Sequence, residues 1–195
     1  MMVLCRKLII NWLIRSKAIN EDERELYEYA LYCIVLLLSP AIFSIAIGCI
    51  MGIPLNGITL VMPFLFLRKF SGGFHAKHAW TCFVGSSMLV AGFLWISTKI
   101  NCGVTLYMTT ATAVIELGIF SPIQSDNRTI TEKEKRIYRK IVELQLAVYI
   151  IVAIIANVLG KDVIAVCMLL GIIITALMQL PCIVQMVLNN RRDIS

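Results

Sequence analysis

Apolar residues fall into six runs separated by short polar stretches, at about residues 31–52, 54–67, 79–97, 103–121, 141–159 and 163–188. A helix needs roughly 17 to 25 residues to cross the hydrocarbon of a bilayer, and five of the runs meet that length. The second does not: Leu55 to Leu67 is 13 residues, so a tilted, partly re-entrant or locally thinned element is expected there. Ahead of the runs, Val3, Leu4, Leu8, Ile9, Trp12 and Leu13 alternate with Lys7, Asn11 and Arg15 at helical spacing. That pattern predicts an amphipathic helix lying in the membrane interface. The expected architecture is all-α: a polytopic membrane protein of six transmembrane helices behind an N-terminal amphipathic helix. Residues 1–195 are expected to form a single integral membrane domain, with 1–30 as its cytoplasmic or interfacial segment.

Composition sharpens this picture. Of 195 residues only 15% are charged, and the mean hydropathy is +0.84, far from the balance of a soluble domain. The longest stretches without an apolar run, 15–30 and 121–140, are too short for a core of their own. Seven cysteines, at 5, 33, 49, 82, 102, 167 and 182, include no CxxC pair. An odd, dispersed set argues against a disulfide framework or a cysteine-rich zinc site, and most of these thiols read as small hydrophobes. A cleaved signal peptide fits poorly, because charge breaks the first apolar segment and the acidic stretch Glu21 to Glu25 follows it. That stretch reads as solvated linker.

Charge orients the spans. Sixteen Lys and Arg residues fall on one side (Arg6, Lys7, Arg15, Lys17, Arg24, Arg68, Lys69, Lys77, Arg128, Lys133, Lys135, Arg136, Arg139, Lys140, Arg191 and Arg192), and only Lys99 and Lys161 on the other. The bias predicts a cell-membrane protein with both termini, the 68–78 loop and the 121–140 loop in the cytoplasm. Losing one span would scramble the sorting, so the charges support counting the short second run as a crossing.

Chemistry concentrates between the second and third runs, in Arg68-Lys-Phe-Ser-Gly72-Gly73-Phe-His75-Ala-Lys-His78-Ala-Trp-Thr-Cys82. Polar side chains beside hydrocarbon are costly and usually functional. At about 100° per residue on a helix, His75 and Cys82 fall within roughly 20° of one face, and His78 and Cys82 form an i, i+4 pair. Either imidazole is within reach of the thiol. Gly72-Gly73 permits a sharp turn before the helix, placing Cys82 in its second turn, where the helix N-terminus and nearby Arg68, Lys69 and Lys77 favour thiolate. Plainer readings stay open: Lys69 and Lys77 as positive-inside anchors, His78 as an interfacial polar residue, Gly-Gly as a simple turn. A zinc site from His75, His78 and Cys82 lacks an evident fourth ligand, and no metal, cofactor or nucleic acid is expected.

The string R-x-x-x-G-G-x-H-A-x(5)-C, followed two spans later by Ser121-Pro122-Ile-Gln-Ser-Asp126-Asn127-Arg128 and a basic loop, resembles accessory gene regulator protein B (AgrB), a family of membrane peptidases in Gram-positive quorum sensing. In that family the second motif often reads Ala-Pro; here it begins Ser-Pro. The resemblance implies that Cys82 is the nucleophile and His75 the general base, with Arg68, Gly72 and Gly73 required nearby. It implies a short AgrD-like precursor as substrate, trimmed of its C-terminal tail and closed to a thiolactone or lactone, and it points to a homodimer. Lys133, Lys135, Arg136, Arg139 and Lys140 would hold the precursor's acidic tail, against the plainer reading of a positive-inside loop. Glu116, about one and a half turns inside the fourth span, is either an orienter of His75 or a packed carboxylic acid with a local partner. The rival for the whole chain is a small peptide exporter without protease activity, though no paired inverted halves are evident. Gly-x-Ser-x-Gly and His-Glu-x-x-His strings are absent, which disfavours serine and metalloprotease readings.

Overall fold

The computed structural model describes residues 2–16, 18–72, 79–123 and 131–192, with backbone alone described at 2–7, 32–33, 36–37, 79–83, 187 and 189–192. Among the described residues the fold is all-helical, without strands. In order come α1 (Met2–Arg15), a 3-10 turn (Glu21–Glu23), α2 (Arg24–Ile50), α3 (Pro54–Ser71), α4 (Ala79–Ser97), α5 (Val104–Phe120), α6 (Glu132–Val158) and α7 (Asp162–Arg192). Two helical stretches, Glu132–Val158 and Asp162–Met186, are long and apolar enough to cross a membrane; the apolar stretches Leu38–Ile50, Val84–Ser97 and Val104–Phe120 are shorter.

The chain forms two compact units, Met1–Ser39 and Pro40–Ser195, with α2 running from one into the other. Within the first, Arg24 is the fastener. Its guanidinium donates to Glu21 and to the Asn11 side chain, and lies 3.5 Å from Glu28. The Glu21 hydrogen bond and charge hold the Arg24 pKa above its ordinary value. Leu8, Ile9 and Trp12 of α1 are exposed while Ile10 is fully buried.

In the second unit α7 is the central helix, packing against α3, α4, α5 and α6. Its closest seam is with α3. A Cβ on Gly171 would stand 2.5 Å from the Leu60 carbonyl oxygen and 3.2 Å from the Pro63 ring, so the two backbones approach as only small residues allow. Leu60, Val61, Phe64 and Leu169, Leu170 and Ile174 form the larger buried cluster around it. Ser44 donates to the Gly57 carbonyl at 2.9 Å, tying the α2 portion of this unit to α3.

The outer helix is α6. Val142, Leu146, Ala153 and Ala156 are buried, whereas Leu144, Val148, Ile151, Ile155 and Val158 stand exposed at the i, i+4, i+7 spacing of a single stripe. Contacts at both ends of α5 and α6 fix their antiparallel pairing. At one end Asn157 donates to the Tyr107 hydroxyl at 3.0 Å and Cys102 Sγ lies 3.3 Å from it. Towards the other end, Ala113, Leu117, Val142 and Leu146 pack together.

Helix limits depart from the apolar runs in a consistent direction. The short second run belongs to an 18-residue helix, because α3 continues through Arg68, Lys69, Phe70 and Ser71; at 1.5 Å per residue that is about 27 Å. Similarly, α2 starts seven residues before its run, at Arg24. The expected 121–140 loop is also corrected: α6 begins at Glu132, so Lys133, Lys135, Arg136, Arg139 and Lys140 sit on a helix. Thr131 caps it, accepting from the Glu134 N–H at 3.4 Å while Glu134 accepts from the Thr131 N–H at 2.9 Å. This reciprocal capping box, followed by Glu, Lys and Arg of good helix propensity, starts the helix well before the apolar run.

Candidate functional site

Ser71 is the last residue of α3, and its carbonyl is one that the helix itself leaves without a donor. It receives two: the Ile123 N–H at 3.0 Å and the Gln179 side-chain amide of α7 at 2.7 Å. The same Gln179 Nε2 also donates to Ser121 Oγ at 3.1 Å. Three segments far apart in sequence therefore meet at one buried knot: the end of α3, the Ser121-Pro122-Ile123 turn after α5, and the middle of α7. Gln179 and Ser71 are fully buried, and Ser121 nearly so.

Gly72 is what lets the segments close. Its backbone (φ 72°, ψ −164°) lies in a region essentially reserved for glycine. A Cβ there would fall 2.4 Å from the Ile123 carbonyl oxygen, a distance no packed side chain tolerates. Chain direction and close approach each require glycine at this position.

Around the knot the charged groups take defined places. Arg68 lays its guanidinium over the Phe64 ring, one turn earlier, with Cζ 5.6 Å from the centroid, a stacked cation–π contact. Phe70 meets Tyr138 of α6 with ring centroids 5.8 Å apart. That contact draws the first turns of α6 to the α3 end. Lys133, Lys135, Arg136, Arg139 and Lys140 are all exposed, and they divide by helical position. Lys135 pairs with Glu132 at 3.9 Å and Arg139 with Glu143 at 3.2 Å. Lys133, Arg136 and Lys140 occupy the i, i+3, i+7 positions of another face and meet no carboxylate among the described residues. Lys99 follows α4 and Lys161 follows α6, at the opposite end, where Tyr107 and Asn157 meet.

Glu116 is half-buried on α5, one position before the fully buried Leu117. Its Oε1 is buried with no hydrogen-bond partner among the described residues. A buried acceptor left unmatched is uncommon and asks for a reason.

Of the site residues expected from sequence, Gly72 is brought against Ile123 of the second motif, and Arg68 lies one turn before the end of α3, stacked on Phe64. Gly73, His75 and His78 lie outside the described residues. Cys82 lies on α4 by its backbone; its side chain is outside the described residues. Among the described residues no cluster of His, Cys, Asp or Glu is arranged to hold a metal ion. Gln179 was missed by sequence reasoning. The available signal was a lone long amide in the run Leu169–Leu180, where a polar side chain demands a partner.

A helical chain with two membrane-length apolar helices, in which Ser71-Gly72 and Ser121-Pro122-Ile123 meet, is the class that fold and site define. The Accessory gene regulator B family model matches residues 6–180, and the chain belongs to the AgrB family of accessory gene regulator proteins. It is similar to a protein named AgrB-like from Clostridium perfringens strain SM101, 27% identical over 72% of this chain and 70% of the relative. The accessory gene regulator protein B of Staphylococcus saprophyticus is 25% identical over 72% and 71%. A second AgrB-like protein, from Clostridium perfringens strain 13, is 25% identical over 78% and 76%. No solved structure matches.

Proposed function

We propose that the chain is a six-span cysteine endopeptidase and peptide cyclase of quorum sensing, embedded in the cell membrane with both termini in the cytoplasm. The observation that carries this reading is the knot itself. Gly72 and Ile123, from the two separate motifs on which the likeness to AgrB rests, approach so closely that only glycine fits, and Gln179 joins the neighbouring Ser71 and Ser121. Two lines support the membrane placement: the exposed apolar stripe of α6, which lipid satisfies and water does not, and the gathering of Arg68, Lys69 and the α6 cations at one end.

The chemistry follows from residue types. The Cys82 thiolate attacks the scissile carbonyl of an AgrD-like precursor; the C–N bond breaks, and the departing amine takes a proton from the His75 imidazolium. The precursor fragment is left as a thioester on Cys82. An internal Cys or Ser of the same peptide then gives its proton to His75 and attacks the thioester, releasing Cys82 and closing a thiolactone or lactone. Exchange between thioesters is nearly isoenergetic whereas hydrolysis is downhill, so a site at the membrane interface that excludes water favours the ring. No cofactor or metal enters. Glu116 orients His75 through its buried oxygen; His78 and Gly73 support the loop. Lys133, Arg136 and Lys140 present the charge that holds the acidic tail, while Lys135 and Arg139 are already engaged in part by Glu132 and Glu143. The active form is a homodimer.

Co-expression with an AgrD-like precursor, followed by mass spectrometry, tests the reading. The expected product is a cyclic peptide one water lighter than the linear fragment. Cys82→Ala abolishes precursor cleavage in a peptidase and largely preserves transport in an exporter; retained cleavage would sink the proposal.

A further inference from the structure

A fully buried glutamine with one acceptor unmatched is a poor way to stabilise a helix seam. Gln179 Oε1 has no hydrogen-bond partner among the described residues, and a buried acceptor left unmatched carries a desolvation cost that offsets what the Nε2 bonds contribute. What the amide does supply is direction. Its Nε2 holds the Ser71 carbonyl and the Ser121 hydroxyl at once, at 2.7 and 3.1 Å, and the Ser71 carbonyl takes the Ile123 N–H as well. The last peptide of α3 is thereby fixed against the post-α5 turn and α7. Gly72 leaves that fixed point in a conformation with no freedom for any other residue. His75 follows Ser71 by four residues, and Cys82 is the fourth residue of α4.

We propose that Gln179 is a positioning residue for the peptidase reaction: through Ser71 and Ser121 it fixes the point at which the chain leaves α3, four residues before His75, without touching the precursor. This rests on the cysteine–histidine reading above. Losing the amide misplaces the base while leaving capture of the precursor at α6 unaffected.

The full-length chain in lipid vesicles, with an AgrD-like precursor, tests it through Gln179→Met. Misplacement of a catalytic group by about 1 Å costs on the order of 100-fold, so kcat should fall roughly 10- to 100-fold, with KM for the precursor held within about twofold. Iodoacetamide labelling, resolved by mass spectrometry, separates positioning from unfolding. Labelling of Cys82 should slow, because a displaced imidazole no longer promotes its thiolate, while Cys167, which is fully buried, stays protected. Unchanged kcat, or a loss of activity accompanied by faster labelling of Cys167, overturns the proposal. If the Met variant does not fold, Ser121→Ala removes only the longer of the two bonds and must show the same pattern at smaller amplitude; wild-type kinetics there also overturn it. His75→Ala is the control for the parent reading: intact cleavage and unslowed Cys82 labelling in that variant refute the cysteine–histidine pair itself, whatever Gln179 does.

Discussion

At the scale of single residues, the sharpest constraint is Gly72. Left-handed backbone of this kind costs a residue with a side chain about 1–3 kcal/mol, and here a Cβ also meets the Ile123 carbonyl oxygen at 2.4 Å. Gly160 has a similar φ of 71° but open space around it. Gly160→Ala should therefore cost only about 1–2 kcal/mol of backbone strain, and Gly72→Ala distinctly more. Thermal unfolding in detergent compares the two; equal midpoints would mean that the close approach carries no weight. Glu116→Gln keeps the shape and removes the charge, so cyclisation should fall if the carboxylate orients His75. Full cyclisation by that variant would dispose of the role. Gly72 was legible in sequence as a turn glycine beside a polar cluster. Gln179 was not, because its partners lie 108 and 58 positions away and no local pattern encodes such a contact.

At the scale of elements, α6 separates two jobs along one helix: a charged beginning and an apolar remainder. Thr131→Ala removes the capping box at about 1 kcal/mol, which should speed amide hydrogen exchange over residues 132–136 without reaching the buried Val142. Replacing Lys133, Arg136 and Lys140 by Gln should weaken precursor processing and flatten its salt dependence. The same change at Lys135 and Arg139 should do less, since each already faces a glutamate. Equal effects of the two sets would remove the face-specific docking. The apolar runs located α2 to α7 but misjudged their limits. Hydrophobicity reports where a helix meets apolar surroundings, whereas Arg68 and Lys69, and the Glu, Lys and Arg residues of 132–140, are good helix formers that carry the helix beyond that boundary.

On the scale of the whole molecule, the α3–α7 seam is the axis on which the second unit is built. Gly171→Leu forces a side chain against the Leu60 carbonyl and Pro63, so it should lower both the yield of folded protein and precursor cleavage; a fully active Leu variant would show that the helices part without consequence. Topology gives a separate check. Single cysteines replacing Lys99 or Lys161 should react with a membrane-impermeant thiol reagent from outside intact cells, and cysteines replacing Lys133 or Arg136 should not. The six-span sorting by charge predicts that outcome from sequence alone.

The place of α7 in the chain has a consequence for biosynthesis. Synthesis runs from the N-terminus, yet α3, α4, α5 and α6 all pack on a helix that leaves the ribosome after them, and the amide that ties Ser71 to Ser121 arrives with it. Until Asp162–Arg192 has been made and inserted, the earlier helices lack the helix on which all four pack, and the α3 end has the Ile123 N–H but not the Gln179 amide. If the chain is the peptidase proposed above, it is therefore inert while nascent, and cleavage begins only once Asp162–Arg192 has docked.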